Sequence, residues 1–415
     1  MAQRNSTISN IILPVSFPAL VVVLGLLLLR LNTGSWWPST ASLIYWDAGW
    51  YHSIATNGYQ FDPNQVSNTA FFPLFPYVWR LLGVGEAGIS AVNFFFFITG
   101  CFLLFRYFDA KLKIKLIYLS LSLAVFYTTP MSESLFFLFS VLILIGLHKD
   151  NQLMTLSGVI GACLCRSVST VFVPSFLLLF VFRSIKDGKR KKNLYIVYTL
   201  TSLIVLFFVF FIQYLQTGDF WAFSHSQKSW SAHFQLPDIP FSTWQPEENG
   251  YVDQLAVFIS FLSMIYVAYL FVSKLKNTAA SISDAAMFSV LYLAGTATLI
   301  LFTHGGGFNS MNRYILSTPF LFMFMREVAQ FDFKKSVVIG IMLFGLVYYI
   351  VGWHMATSIH RIIVFLSALV IVFLLGYCIK KDTRYTGVLL ILFIVSALIV
   401  QAILWSRFVT NTWVG

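Results

Sequence analysis

The sequence predicts an all-α polytopic membrane protein, and three observations predict it. Of 415 residues, 58% are hydrophobic and only 10% charged, with a mean hydropathy of +0.79; a soluble domain carries about 25% charged residues. The apolar residues come in continuous blocks, such as 11–29 and 194–215, long enough to cross about 30 Å of hydrocarbon as helices. Lys and Arg cluster at the ends of those blocks, as topology signals do. A transmembrane barrel needs alternating segments of about ten residues, so helices are the remaining spanning solution.

Taken in order, the apolar runs predict eleven spans, near 11–30, 88–106, 113–129, 132–148, 194–215, 255–273, 284–303, 313–326, 336–353, 361–379 and 385–405. The first has no small-residue cleavage site after it and is expected to be a retained helix. Between Lys149 and the cluster from Arg183 to Lys192 lies an apolar stretch interrupted at Arg166 and Ser167. Its flanks are both basic and belong on one side, so it is expected to enter and return as a short re-entrant hairpin with Arg166 near its tip. With this map, 20 of the 27 Lys and Arg residues fall on the cytoplasmic side. The N-terminus is then cytoplasmic and residues 1–415 form a single transmembrane domain.

The net charge of +11 is therefore a membrane signature, and no nucleic-acid partner is implied. Cys101, Cys163, Cys165 and Cys378 all lie in apolar runs without metal or redox spacing, and read as small apolar residues. No internal repeat of the kind that builds many transporters is visible. Most of the 44 Phe belong to the spans, whereas Trp36, Trp37, Trp46, Trp50, Trp79, Trp221, Trp230, Trp244 and Trp353 fit an interfacial belt.

Two outer loops are long, 32–87 and 216–254, and function is expected there. In the first, residues 41–56 and 71–82 are expected to lie along the interface as amphipathic helices. Its run Tyr45-Trp46-Asp47-Ala48-Gly49-Trp50-Tyr51-His52 sets one carboxylate among aromatic rings. Such a carboxylate suits a general base; alternatively Asp47 caps its helix or meets Arg80. Glu133, after Pro130, either orients a substrate or favours the start of a helix through its dipole. Arg313 follows the Gly-rich segment 304–309 and either grips an anion or snorkels at a helix end. Arg166, within the membrane, must be paired or line a polar cavity. His225, Gln227, Lys228 and Trp230 either close over a ligand or are solvated loop residues. There is no D-x-D, H-x-x-x-H or acidic cluster, and Glu247 and Glu248 read as a solvated pair, so no tightly bound metal is expected.

The run W-D-A-G-W-Y-H-S-I-A-T-N-G-Y (residues 46–59) with the later F-F-P-L-F-P (residues 71–76) resembles the first outer loop of the PIG-V family, the GPI mannosyltransferase II type, and its bacterial relatives. Ser132-Glu133-Ser134-Leu135-Phe136, the Arg166 hairpin, Gly218-Asp219-Phe220-Trp221-Ala222-Phe223 with Gln227 and Trp230, and Arg313-Tyr314 before Pro319 are similar to that family's later blocks, in its order. The likeness covers about 40–320. Gly218-Asp219-Phe220-Trp221 departs from the Gly-Asp-Pro-Leu of many bacterial relatives, which weakens a specific role for Asp219.

The resemblance implies a GT-C type membrane glycosyltransferase that moves a sugar, typically mannose, from a polyprenyl-phosphate donor on the extracytoplasmic face to a glycolipid or glycan acceptor. Asp47 takes the position of the catalytic base. Arg313, Lys228, Arg166, Gln227, Trp230 and His304 are expected at the donor, and Glu133, His52, Trp46, Trp50 and Tyr51 at the substrate. No tightly bound cofactor is implied besides the donor, which is itself a substrate. A bacterial cell membrane is favoured over the endoplasmic reticulum of a eukaryotic host. A transporter or flippase of a lipid-linked saccharide is the alternative. Against it, the ionisable residues lie in outer loops rather than at the midplane of broken helices.

Overall fold

A computed structural model describes residues 2–185, 192–230, 232–236, 250–278, 282–303, 310–330 and 359–414. Its regular elements are helices. By length and composition, seven helical segments among the described residues can cross a membrane: Asn10–Thr33, Glu86–Tyr107, Ser167–Ser184, Asn193–Thr217, Val252–Leu275, Asp284–Thr303 and Arg384–Val409. These mark a multi-pass helical membrane protein.

The N-terminal helix α1 (Ala2–Thr33) leads to the long loop that holds α2 (Asp47–Asn57) and α3 (Leu74–Leu82), then α4 (Glu86–Tyr107) returns across the bundle. The expected span 113–129 is instead broken into α5 (Leu112–Leu121) and α6 (Val125–Thr128). Next come α7 (Glu133–Lys149), α8 (Gln152–Cys165), α9 (Phe172–Ser184), α10 (Lys192–Thr217), α11 (Ala222–Ser229), α12 (Gly250–Leu275) and α13 (Asp284–Thr303). The expected span 313–326 is likewise divided, into α14 (Met311–Ile315) and α15 (Pro319–Gln330). Helices α16 (Ile359–Lys380) and α17 (Arg384–Val409) follow. The expected span 336–353, with Trp353, and the loop positions Trp244, Glu247 and Glu248 lie outside the described residues.

The two breaks face each other. Ser122 Oγ donates to the Leu316 carbonyl at 3.1 Å and Tyr118 OH to that of Thr318 at 3.2 Å. From α17, Gln401 completes the first break: its Oε1 accepts from Ala124 N at 2.9 Å and its Nε2 donates to the Ser120 carbonyl at 2.8 Å. Backbone groups away from water demand such partners, which is why a polar amide sits in an otherwise apolar helix.

The Arg166 hairpin is present as α8, a 3-10 turn at Ser167–Val171 and α9, but its second leg is itself long enough to cross. Glycines let its first leg lie close on α7: a Cβ at Gly158 would come within 2.7 Å of the Phe139 carbonyl oxygen. That close pairing carries the hairpin tip to the start of α7.

The first long loop packs onto the bundle through α2, while α3 leaves Leu81 and Leu82 exposed. Ala48, Tyr51, Ile54 and Ala55 of α2 are buried, because Gly49 lets the helix approach the Ile44 carbonyl, where a Cβ would stand at 2.7 Å. The far end of α2 is closed by Gly58 at φ 84° and by Arg80, whose Nε and Nη2 donate to the Ala55 and Ile54 carbonyls at 2.6 and 2.7 Å. From α10, Gln216 Oε1 accepts from Tyr59 N at 2.8 Å. Basic residues gather at the opposite end of the bundle, where Lys111 and Lys113 hold Asp382 in the α16–α17 turn.

Candidate functional site

Helix α2 begins at Asp47, and the residue before it, Trp46, adopts φ 58° and ψ −132°, a conformation that L-residues avoid and that persists where surrounding structure enforces it. The turn delivers Asp47 Oδ2 to Arg313 Nη1 at 2.6 Å. Arg313 sits on α14, which also follows a left-handed residue, Ser310 at φ 65°. Its Nε and Nη2 both reach Glu133 Oε1 at 2.7 Å. The same Glu133 oxygen pairs with Arg166 Nη1 at the hairpin tip.

Asp47, Arg313, Glu133 and Arg166 thus form one chain of alternating charges from four distant segments, with formal charges that cancel. Their side chains are 17%, 3%, 2% and 7% exposed. Burying an ion costs several kcal/mol unless it is paired and hydrogen-bonded, and here every charge touches an opposite one. Ser132, just before Glu133, ties in the loop: its Oγ shares a 2.6 Å hydrogen bond with Tyr51 OH and accepts from Arg166 Nη1 at 3.5 Å. Burial pushes the Tyr51 hydroxyl well above its ordinary range despite the nearby Arg166, so it acts as a neutral hydroxyl. From α4, Asn93 Nδ2 donates to the carbonyls of Thr129 and Met131 at 2.7 and 2.6 Å and fixes the turn that presents Glu133.

Aromatic rings line the chain. Phe126 and Trp413 lie 5.0 and 5.2 Å from Arg313 Cζ, and Tyr314 lies 5.3 Å from Arg166 Cζ. Trp46 meets Trp413 at 5.4 Å, while Trp50 meets Trp230 at 5.8 Å and Phe71 at 6.3 Å. Two polar features are unfinished: Glu133 Oε2 is buried without a partner, and so are the side-chain amides of Asn312 and Gln254. Such atoms call for water or a ligand hydroxyl. Next to Gln254 in sequence, Asp253 Oδ1 accepts from Asn312 N at 2.8 Å.

Of the residues singled out in the sequence, Asp47, Arg313, Glu133, Arg166, Tyr51 and Trp46 come together, with Trp50 and Trp230 alongside. The expected alternative for Asp47, a pair with Arg80, is not formed, because Arg80 is occupied by the α2 carbonyls. His52 faces away, toward Glu86 at 3.8 Å and the Trp79 ring at 5.3 Å. Lys228 and Gln227 ride on α11, Lys228 exposed. Asp219 pairs with His225 at 2.7 Å and its Oδ1 accepts from Trp221 N at 2.8 Å, which gives it a structural task at the start of α11. His304 lies outside the described residues. Trp413, Asn93 and Asp253 were not anticipated, and Ser132 only as part of the block that holds Glu133. Asp253 was detectable as an acid at the edge of an apolar run, whereas nothing local distinguishes Trp413 from a belt residue.

Among the described residues no group of three or more His, Cys, Asp or Glu is placed to hold a metal ion. Compared with models of protein families, curated proteins and solved structures, the chain has no match.

Proposed function

We propose that the protein is a membrane glycosyltransferase of GT-C type, with eleven crossings plus the hairpin. In this reading it moves a sugar, mannose by preference, from a polyprenyl-phosphate donor to an acceptor hydroxyl on the extracytoplasmic face. The observation that carries the reading is the joining of Asp47 to Arg313, Glu133 and Arg166, since each of the four lies in a block that resembles the PIG-V family. In the proposed step the acceptor oxygen bonds to the anomeric carbon, the bond from that carbon to the phosphate oxygen breaks, and the acceptor proton passes to Asp47. The leaving phosphate gains one negative charge, which favours preorganised cations around it.

Arg313 and exposed Lys228 are the proposed phosphate partners, with Gln227, Trp230 and His304 beside the donor and Arg166 behind Glu133. In the resting chain Asp47 occupies Arg313 Nη1, so an arriving phosphate competes for that nitrogen and releases the base. Partnerless Glu133 Oε2 suits a sugar hydroxyl, and Trp46, Trp50 and Tyr51 suit the faces of the sugar ring. The acceptor class is a glycolipid or glycan, and a bacterial cell membrane is the favoured location. The test is transfer from radiolabelled polyprenyl-phosphate mannose into a host lipid and glycan extract, by wild type and Asp47→Asn. Label in a new product only with wild type supports the reading; donor bound but never consumed, with identical behaviour of both proteins, ends it.

One observation favours a second reading, a transporter or flippase of a lipid-linked saccharide. Two broken helices meet at Ser122 and Leu316, and discontinuous helices build many transport sites. Translocation of a lipid-linked sugar in proteoliposomes, without transfer, would select it.

A further inference from the structure

The turn after α17 belongs to no motif, yet it reaches the centre of the site. Thr410 N and Thr412 N both donate to the Arg407 carbonyl, at 3.1 and 2.9 Å. Asn411 takes the left-handed conformation, φ 66°, which Asn tolerates better than other non-glycine residues. The chain therefore reverses sharply, and Val414, fully buried, pins it. Trp413 is delivered between these anchors.

We propose that Trp413 is a positioning residue of the site, holding the Arg313 guanidinium against Asp47 and screening that ion pair from water. One indole meets Arg313 itself and the residue that precedes Asp47. It lies 5.2 Å from Arg313 Cζ, within cation–π range, and 5.4 Å from Trp46, the residue whose strained backbone sets Asp47. Asp47 is the most exposed of the four charged side chains, so its bond to Arg313 is where water has most access. Excluding water there lowers the local dielectric and strengthens the pair. Both in-plane edges of Arg313 are taken by carboxylates, and Phe126 at 5.0 Å and Trp413 at 5.2 Å add two aromatic rings to its surroundings.

The bland alternative is a belt tryptophan that rests among lipid headgroups. Trp36 supplies the comparison: it is 54% exposed and stacks near Arg30 at 5.7 Å, away from the site. The two roles separate without any transfer assay. Purified full-length protein in detergent is labelled with phenylglyoxal, an arginine reagent, and modification of Arg313 and Arg183 is followed by peptide mass spectrometry. Arg183, paired with Asp284 on another part of the bundle, reports general loosening.

Trp413→Ala and Trp413→Leu are expected to speed labelling of Arg313 several-fold with Arg183 unchanged, while Trp413→Phe and Trp36→Ala label as wild type does. Unchanged Arg313 labelling in Trp413→Ala overturns the proposal. So does equal acceleration at Arg183 in every Trp413 variant, which would make the residue merely structural. The kinetic consequence rests on the transferase reading. There the donor phosphate competes with Asp47 for Arg313, so Trp413→Ala, by weakening that pair, lowers the donor KM about five- to thirtyfold, the equivalent of a 1–2 kcal/mol cation–π contact, and Trp413→Phe returns it to the wild-type value. Absence of transfer by wild type would count against that reading alone, because the labelling result stands by itself.

Discussion

Lys111 and Lys113 share Asp382 at 3.0 and 2.8 Å, and the Lys111 and Asp382 side chains are 66% and 64% exposed. At the other end of the bundle Asp47, Arg313, Glu133 and Arg166 make contacts of similar length with almost no solvent. The first group ties the start of α5 to the α16–α17 turn; Lys113 is largely covered, but Lys111 and Asp382 stand in water, where such pairs contribute little and fade with salt. The second sits where an unpaired charge is costly, and both guanidiniums depend on the one Glu133 carboxylate they share. Similar geometry thus serves as a solvated tether in one place and as a buried, charge-compensated cluster in the other.

Four substitutions break or sharpen that contrast. Glu133→Gln leaves two buried guanidiniums without their shared carboxylate, and unfolding in detergent should show a loss of about 3–5 kcal/mol; a loss no larger than that of a surface change would erase the distinction between the two ends. Asp47→Asn should spare stability, since Arg313 keeps Glu133, while transfer falls roughly 10²- to 10⁴-fold. A parallel loss of stability would recast Asp47 as structural.

Gln401→Leu strands the Ala124 N–H and the Ser120 carbonyl, at about 1–3 kcal/mol, read as a lowered Tm. Asp382→Asn should give the smallest effect, one that vanishes at high salt. Hydrogen bonds from Lys113 and Lys111 hold the Asp382 carboxyl below its ordinary range. Its contribution is therefore present above the usual carboxylate pKa and disappears as the pH falls through the lowered value. Wild type and Asp382→Asn should converge in acid, and a gap that widens there would contradict this.

The helical membrane class and most helices were legible because hydrocarbon thickness and backbone satisfaction leave few options. The breaks at 122–124 and 316–318 were not, because both lie inside apolar runs and depend on each other and on Gln401 for their hydrogen bonds. Asp47, Glu133, Arg166 and Arg313 were each visible as charges in unfavourable surroundings. Their union was not: Asp47 and Arg313 stand 266 positions apart and Glu133 and Arg313 180, and no local pattern encodes such a meeting. Trp413 stayed hidden for a simpler reason, that a tryptophan near the end of an apolar helix ordinarily needs no explanation.

The place of Gln401 and Trp413 in the chain also bears on biogenesis. Helix α17 packs on α1, where Gly25 accepts the Trp405 ring, and it fills the α5–α6 break. Its residues leave the ribosome after every other contributor to the site. Earlier helices must wait in the bilayer with the Ala124 N–H unmet and Arg313 uncovered, at a synthesis rate of about 5–20 residues per second. Until residues 401–413 arrive, the α5–α6 break lacks the Gln401 amide and the Arg313 guanidinium lacks the Trp413 ring, so the two ends of this stretch close two distant parts of the bundle at once.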